Sequence, residues 1–412
     1  MIPRSRFHFR IRLRPPRVRY LSSYGYPDKD YLHTDGVVEG VWIFTRHGDR
    51  VPGRCLSPEH KVNDEAAFWM TRMPCSPDTA AAFESFSKCF PIDIHPGFNQ
   101  GKFIDTSRNP FGFLTQSGLE QLNENGRKIF DRYNKHGHHF PDMKEWRRGV
   151  ATDFLSVWDV SAYSTNYLRT ILSVQSFLDG LLGTGLLKIG GKLREFDSKV
   201  TKERRVPNHS WKSDSETPLV KIQVRDVSND PLNAFDRNPD IIADLVAEVM
   251  KCEEFFKRDS SAAPLAARLA NYIPGLARRN VKDFSTLSPS GINWIEAADH
   301  FICRAAHGVR LSKFTEFEHD DQVEQTLAAM AHQTLTHLAW RFRQWYKNKK
   351  LLAVIAAPPL REIADQIAAT PDLRGRQKHP FVVYSCHDIT ILVIMKTWIL
   401  QNMTAHTLFE CS

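Results

Sequence analysis

The sequence lacks any Cys-x-x-Cys pair, although it contains seven cysteines. Such pairs are typical of zinc sites and thioredoxin-like redox centres, so neither kind of site is predicted. An odd number of cysteines also argues against a fully paired disulfide framework. The sequence has no uninterrupted apolar run of about 18 residues, the length that a membrane-spanning helix needs. With 42% hydrophobic and 25% charged residues in a chain of 412, the composition is typical of a globular protein.

Residues 1–20 contain seven arginines but no lysine and no acidic residue. They hold most of the net charge of +8, so no nucleic-acid partner is predicted for the nearly neutral remainder. The segment has no continuous apolar core, and its composition favours a mitochondrial presequence over a secretory or lysosomal signal. A disordered basic arm and a misassigned start are the alternatives. We expect residues 1–38 to form an arm and linker.

The most informative stretch is 41–52, which reads Val-Trp-Ile-Phe-Thr-Arg-His-Gly-Asp-Arg-Val-Pro. Its apolar beginning predicts a strand of a parallel sheet that is buried on both faces, and glycine and proline predict a tight loop after it. Arg46, His47 and Arg50 therefore lie at the carboxyl end of a strand, where open α/β sheets place their ligand sites.

These residue types suit phosphoryl transfer. A neutral imidazole such as that of His47 is a good nitrogen nucleophile. The guanidinium groups of Arg46 and Arg50 stay charged and match phosphate oxygens in a two-pronged arrangement. A surface loop that happens to carry arginine and histidine is the alternative.

This stretch resembles the signature of the histidine acid phosphatases, branch 2 of the histidine phosphatase superfamily. The resemblance implies that His47 accepts the phosphoryl group and that Arg46 and Arg50 bind it. The sister branch, which includes the phosphoglycerate mutases, has Arg-His-Gly without the Arg-x-Pro that follows here.

A second motif, Ser-Thr-x-x-x-Arg-Thr, ends in Arg169 and Thr170. It spans the predicted end of a strand near Ser164 and the start of a helix over about 165–182. From the residues alone, Arg169 would be an exposed helical arginine. The family has the same motif at this place, and the resemblance implies that Arg169 is a third phosphate ligand. Thr115 is predicted to cap an earlier scaffold helix that runs to about 135.

A third motif follows another apolar strand and reads Tyr-Ser-Cys-His-Asp-Ile-Thr over 384–390. By resemblance to the family's Tyr-Ser-x-His-Asp, His387 binds the phosphate and Asp388 protonates the leaving group. Proton donation by a carboxylic acid suits this step and favours acidic pH. An aspartate at a helix N-terminus can also be a cap, and both roles are compatible.

Residues 53–112 and 190–325 are predicted to be insertions, the second forming a mainly helical cap. Within it, the pattern from Asp299 to His307-Gly308 weakly resembles the lysophosphatidic acid phosphatase-like subgroup. In the alternative interpretation, His307 and the charges near it are simply solvated. We predict a phosphatase domain over 39–400 and a short tail over 401–412.

Taken together, the three motifs predict an α/β/α sandwich around a mainly parallel sheet, resembling the phosphoglycerate mutase fold, with an inserted helical cap. The predicted activity is hydrolysis of phosphate monoesters, of a lipid, a sugar or an inositol polyphosphate, through a phosphohistidine. Arginine charge replaces a metal in this scheme, so no metal or cofactor is expected. The main alternative is a weak or inactive phosphate-binding protein of the same fold, because only 24 residues follow Asp388. A protein that contacts a membrane or nucleic acid through its basic arm is a third hypothesis.

Overall fold

The computed structural model describes residues 40–94, 110–135, 151–188, 218–277, 290–369 and 378–397. The predicted arm and tail lie outside the described residues. None of the helices that are described is both long enough and apolar enough to span a membrane.

A five-stranded sheet forms the centre of the described chain, and all its pairs are parallel. The strand order is β1-β5-β3-β4-β2, so the last strand in the sequence lies between the first and third. The predicted parallel sheet is therefore confirmed. The strands are β1 (Val41–Arg46), β2 (Ile92–Ile94), β3 (Trp158–Ser164), β4 (Ile222–Val224) and β5 (His379–Cys386).

Some helices pack on this sheet, and others form a separate apolar cluster. Short 3-10 turns add to them at Glu59–Lys61 and Pro274–Ala277. The α-helices are α1 (Val62–Met70), α2 (Pro77–Cys89), α3 (Gln116–Lys135), α4 (Ala151–Val157), α5 (Leu168–Leu182), α6 (Ala234–Arg237), α7 (Pro239–Met250), α8 (Glu253–Ser261), α9 (Ala263–Tyr272), α10 (Trp294–Ala306), α11 (Asp321–Trp345), α12 (Lys349–Ala368) and α13 (388–397).

The two faces of the sheet are covered by different helices. Phe381 and Val383 of β5 pack into one large apolar cluster with α3, α4 and α5. Val382 and Tyr384 point to the opposite face, where side chains of α12 and α13 join them. Since successive side chains of a strand alternate between faces, an apolar run such as that of β5 is buried on both sides. The predicted α/β/α layering is confirmed.

The two segments predicted as insertions contribute to the sheet as well as to helices. β2 lies within 53–112 and β4 lies within 190–325, and these short strands pair with each other at one end of the sheet. The helices α9, α10 and α11 share a separate apolar cluster. The boundaries of the domain and its insertions stay a prediction.

Candidate active site

Three motifs meet at one edge of the sheet because their strands are parallel neighbours. His47 follows β1 directly, and its backbone N–H donates to the carbonyl of Cys386 at the end of β5, with N and O 3.1 Å apart. Thr165 follows β3, and its N–H donates to the carbonyl of Ser385 at 3.2 Å. Since the carboxyl ends of parallel strands share an edge, residues far apart in sequence come together there.

His47 is buried, with 5% of its surface exposed. Its Nδ1 lies 2.8 Å from the carbonyl oxygen of Gly48, a contact in which Nδ1 must carry the proton. Nε2 therefore keeps its lone pair. Burial, together with the positive charges of Arg46 and Arg169, holds the pKa of His47 well below its usual value. His47 is thus a neutral imidazole with one nitrogen free to act as a nucleophile.

Two glycines let the loop after β1 sit against the start of α3. A Cβ on Gly48 would lie 2.3 Å from the carbonyl oxygen of Gly118, and one on Gly118 would lie 2.2 Å from that of Asp49. The Gly48 N–H also donates to Ser173 Oγ of α5 at 3.0 Å. Thr115 caps α3 as predicted, because its Oγ1 accepts from the Gly118 N–H at 3.1 Å. The glycine next to His47 is therefore required by a close backbone contact.

Arg169 lies in the first turn of α5, with its guanidinium carbon 4.3 Å from the centre of the Tyr167 ring. Its Nε is buried and has no hydrogen-bond partner among the described residues. Burial and the charge of Arg50 lower the pKa of Arg169 to about 10. A phosphate anion near this arginine would offset both the missing hydrogen bond and the repulsion between cations.

His387 follows β5 and lies beside His47, with their ring centres 5.6 Å apart. Its Nε2 contacts Thr165 Oγ1 at 3.2 Å, and its ring meets that of Tyr167 edge-on. Burial and the nearby arginines, Arg169 first among them, lower the pKa of His387 to about 3. The second histidine of the site is therefore also neutral.

Asp388 is the first residue of α13, and 54% of its side chain is exposed. Its Oδ2 lies 3.5 Å from Arg46 Nε, while its Oδ1 accepts from the N–H of Ile389 at 2.9 Å. The carboxyl group thus reaches solvent beside an arginine of the first motif, at the place where a leaving group could approach it.

Arg50 is held by Asp299 of α10, a contact that the sequence did not predict. Arg50 Nη1 donates to Asp299 Oδ2 at 3.0 Å, and Nη2 lies 2.8 Å from Oδ1. Nη1 also donates to the Val51 carbonyl at 3.0 Å. Burial alone would lower the pKa of Arg50, but the charge of Asp299 outweighs it and raises that pKa. The Nε side of the guanidinium makes no hydrogen bond with described residues and stays available to an anion.

A second contact between α10 and the signature loop joins His307 to Asp49. His307 Nε2 lies 2.7 Å from Asp49 Oδ2, and only 7% of the His307 side chain is exposed. Asp49 Oδ2 also accepts from Thr115 Oγ1 at 2.6 Å. The interpretation that His307 is simply solvated is therefore wrong. The Asp299-to-His307 pattern was the only signal in the sequence for either contact, and it did not identify the partners.

The comparisons agree with this arrangement at the level of the family. The family model described as "Histidine phosphatase superfamily (branch 2)" matches residues 37–407. Among curated proteins, none matches the chain. Similar solved structures include a phytase from Citrobacter braakii, at 15% identity and a TM-score of 0.42, covering 87% of this chain and 74% of that one. A Klebsiella sp ASR1 phytase is similar at 13% identity and a TM-score of 0.41, covering 87% and 72%. Likeness at this level says nothing about the substrate of this chain.

Proposed function

The chain belongs to branch 2 of the histidine phosphatase superfamily, the histidine acid phosphatases, which are phosphoric monoester hydrolases; we propose that it acts through a phosphohistidine at His47. The observation that carries this proposal is the contact of His47 Nδ1 with the Gly48 carbonyl oxygen, at 2.8 Å. The Nδ1–H is directed to this carbonyl, and the low pKa of His47 keeps Nε2 unprotonated beside a cluster of arginines. A nucleophile that needs no general base can attack directly.

In the first step, Nε2 of His47 attacks phosphorus while the bond from phosphorus to the alcohol oxygen breaks. The proton of a neutral Asp388 goes to that oxygen, so the alcohol leaves uncharged and Asp388 becomes a carboxylate. Arg46, Arg50 and Arg169 hold the phosphoryl oxygens, on which negative charge is concentrated, and His387 binds alongside them.

In the second step, water attacks the phosphorus of the phosphohistidine. The Asp388 carboxylate takes a proton from this water, the bond from nitrogen to phosphorus breaks, and its electron pair returns to Nε2. Inorganic phosphate then leaves, and both residues are restored to their starting states. Guanidinium charge stabilises both transition states, so this chemistry calls for no metal ion.

The alcohol that leaves is proposed to belong to a lipid, a sugar or a similar monoester. The site's cations bind the phosphoryl group and do not distinguish among these alcohols, so specificity depends on the surface beside Arg169.

The test is release of phosphate from p-nitrophenyl phosphate between about pH 4 and 8, with EDTA present, comparing wild type with His47→Ala. We expect EDTA-resistant activity in wild type and a loss of about a thousandfold or more in the variant. His332→Ala, on the exposed face of α11, is the matched control and should stay active. Alkaline quenching during turnover should trap phosphate on wild type alone, in a form that is stable in alkali and is released by acid.

Undiminished activity in folded His47→Ala would overturn the proposal. A folded wild type without activity that still binds inorganic phosphate in calorimetry would favour the alternative, a phosphate-binding protein of the same fold.

A further inference from the structure

A pocket of about 420 Å³ opens beside the phosphoryl site and shares Arg169 with it. Phe111, Phe113, Tyr167 and Leu168 supply much of its apolar wall. A pocket with aromatic walls accommodates the flat or hydrocarbon faces of a ligand. Because the phosphoryl group binds at Arg169, the part of the substrate nearest this pocket is the leaving group.

Two polar side chains of the pocket, Asp236 and Asn166, have capacity left for hydrogen bonds. Asp236 Oδ2 accepts from the Tyr167 hydroxyl at 2.5 Å and from Asn233 Nδ2 at 2.9 Å. Asn166 Oδ1 accepts from the same Asn233 nitrogen at 3.3 Å. Asp236 Oδ1 and Asn166 Nδ2 make no hydrogen bond with described residues. The network thus fixes both side chains and leaves one acceptor and one donor for a ligand.

The charges that line the pocket disfavour substrates with more than one phosphate. Among its described lining residues, Arg169 is the only cation and Asp236 the only anion. Arg169 is already assigned to the phosphoryl group that is transferred. A second phosphate on the leaving group would therefore meet an aspartate and no free cation, and like charges at close range repel.

We infer that this pocket selects a monophosphate whose leaving group is uncharged, carries a hydroxyl and has an apolar face. The hydroxyl donates to Asp236 Oδ1 and accepts from Asn166 Nδ2, while the apolar face packs on Phe113 and Tyr167. A sugar and the glycerol of a lysophospholipid share this chemistry. The inference rests on the proposed function, and it places inositol polyphosphates among the poor substrates.

The experiment measures kcat/KM for phosphate release from four compounds by wild type and Asp236→Asn. The compounds are glucose 6-phosphate, an oleoyl lysophosphatidate, phenyl phosphate and inositol hexakisphosphate. The asparagine can still accept from Tyr167, but it loses the charge and one carboxylate oxygen. We expect kcat/KM to fall about tenfold for whichever hydroxyl-bearing monophosphate wild type prefers, to stay within about twofold for phenyl phosphate, and to rise for inositol hexakisphosphate.

Asn166→Ala should lower kcat/KM for the same hydroxyl-bearing substrate. It provides an independent test if Asp236→Asn proves unstable. Asp244→Asn removes an equal charge from the exposed face of α7 outside the pocket and should change none of the four values. A better wild-type kcat/KM on inositol hexakisphosphate, or an equal change on all substrates, would overturn this inference alone. Absence of hydrolysis of every compound would overturn the proposed function as well.

Discussion

At the scale of single residues, the site holds the buried His47 and the half-buried His387 as neutral imidazoles among arginines. In an unfolded chain a histidine titrates near its ordinary pKa of about 6.5. In the folded protein burial and neighbouring cations lower the pKa of His387 to about 3 and that of His47 well below its usual value. Both imidazoles therefore stay unprotonated in mildly acidic solution.

Protonation should make the fold less stable as pH falls. Below about pH 6.5, each of these histidines is protonated in the unfolded chain but not in the folded protein. The free energy of unfolding therefore falls by up to about 1.4 kcal/mol for each histidine and each pH unit. In His387→Gln, the slope of this free energy against pH should be shallower by up to that amount between about pH 6 and 4. Urea unfolding at several pH values measures it. The exposed His319→Gln is the control, and equal slopes in the two variants would contradict the expectation.

Asp299 is expected to act as a positioning residue for Arg50. In Asp299→Asn the guanidinium loses its charged partner and is no longer held in one orientation, so kcat/KM should fall about 10- to 100-fold. The inhibition constant for inorganic phosphate should rise as well. A variant that only contained less folded enzyme would lose activity without any change in this constant.

Glu296→Gln is the matched control for Asp299→Asn. It changes another acid of α10, one that pairs with Arg54 at 2.7 Å instead of Arg50. Equal losses of phosphate affinity in the two variants would refute the special role of Asp299.

At the scale of elements, the start of α3 fixes the loop that carries His47. In Gly118→Ala, the added methyl group would need the space of the Asp49 carbonyl oxygen, so helix and loop must separate. We expect the free energy of unfolding to fall by about 1–3 kcal/mol and kcat/KM to fall by at least as large a factor as Asp299→Asn produces. Urea unfolding and steady-state kinetics measure both. Ser117→Ala, an exposed neighbour in the same turn, should be nearly neutral; a stable and active Gly118→Ala would disprove the close contact.

A buried ion pair joins α1 to α10, the helix that carries Asp299. Glu65 Oε1 and Arg304 Nη2 are 2.8 Å apart, and each side chain is 1% exposed. Burial alone would raise the pKa of Glu65, but Arg304 and the Ser57 hydroxyl lower it to about 2. The pair therefore stays charged at the acidic pH values where the enzyme is expected to work.

Removing one partner of this pair should destabilise the protein strongly, since it leaves a buried charge unpaired. Arg304→Met is expected to lower the free energy of unfolding by about 3–5 kcal/mol. Arg310→Met breaks the exposed pair with Asp321 and should lower it by less than about 1 kcal/mol. Chemical denaturation at neutral pH compares them, and similar values for the two variants would refute the expectation.

At the scale of the whole molecule, the sequence was sufficient for the layers of the fold and for the strands that carry the motifs. Apolar runs that end in polar residues are local patterns, and they predicted β1, β3 and β5. The contact of Arg50 with Asp299 was not predictable, because it joins residues 249 positions apart and depends on how α10 packs. The strands β2 and β4 have three residues each, too few to show an alternating pattern.

The helix α12 shows a second limit of prediction from local sequence. The helix runs from Lys349 to Ala368 and contains Pro358 and Pro359, a pair that local propensity alone would not place inside a helix. Proline usually ends a helix, because it lacks an N–H and crowds the preceding turn. Burial of Leu351, Ile355 and Pro359 against neighbouring elements stabilises the helix through this point. Local propensity was overridden here by tertiary packing.

The position of β5 in the sheet has a consequence for the growing polypeptide. Among the described residues, β1 pairs only with β5, a strand that the ribosome makes more than 300 residues later. Until then, β1 lacks the strand with which it pairs in the described part of the fold, and such long-range pairing forms late in folding. The candidate site, which takes His47 from the end of β1 and His387 from the end of β5, therefore cannot assemble before β5 has been made.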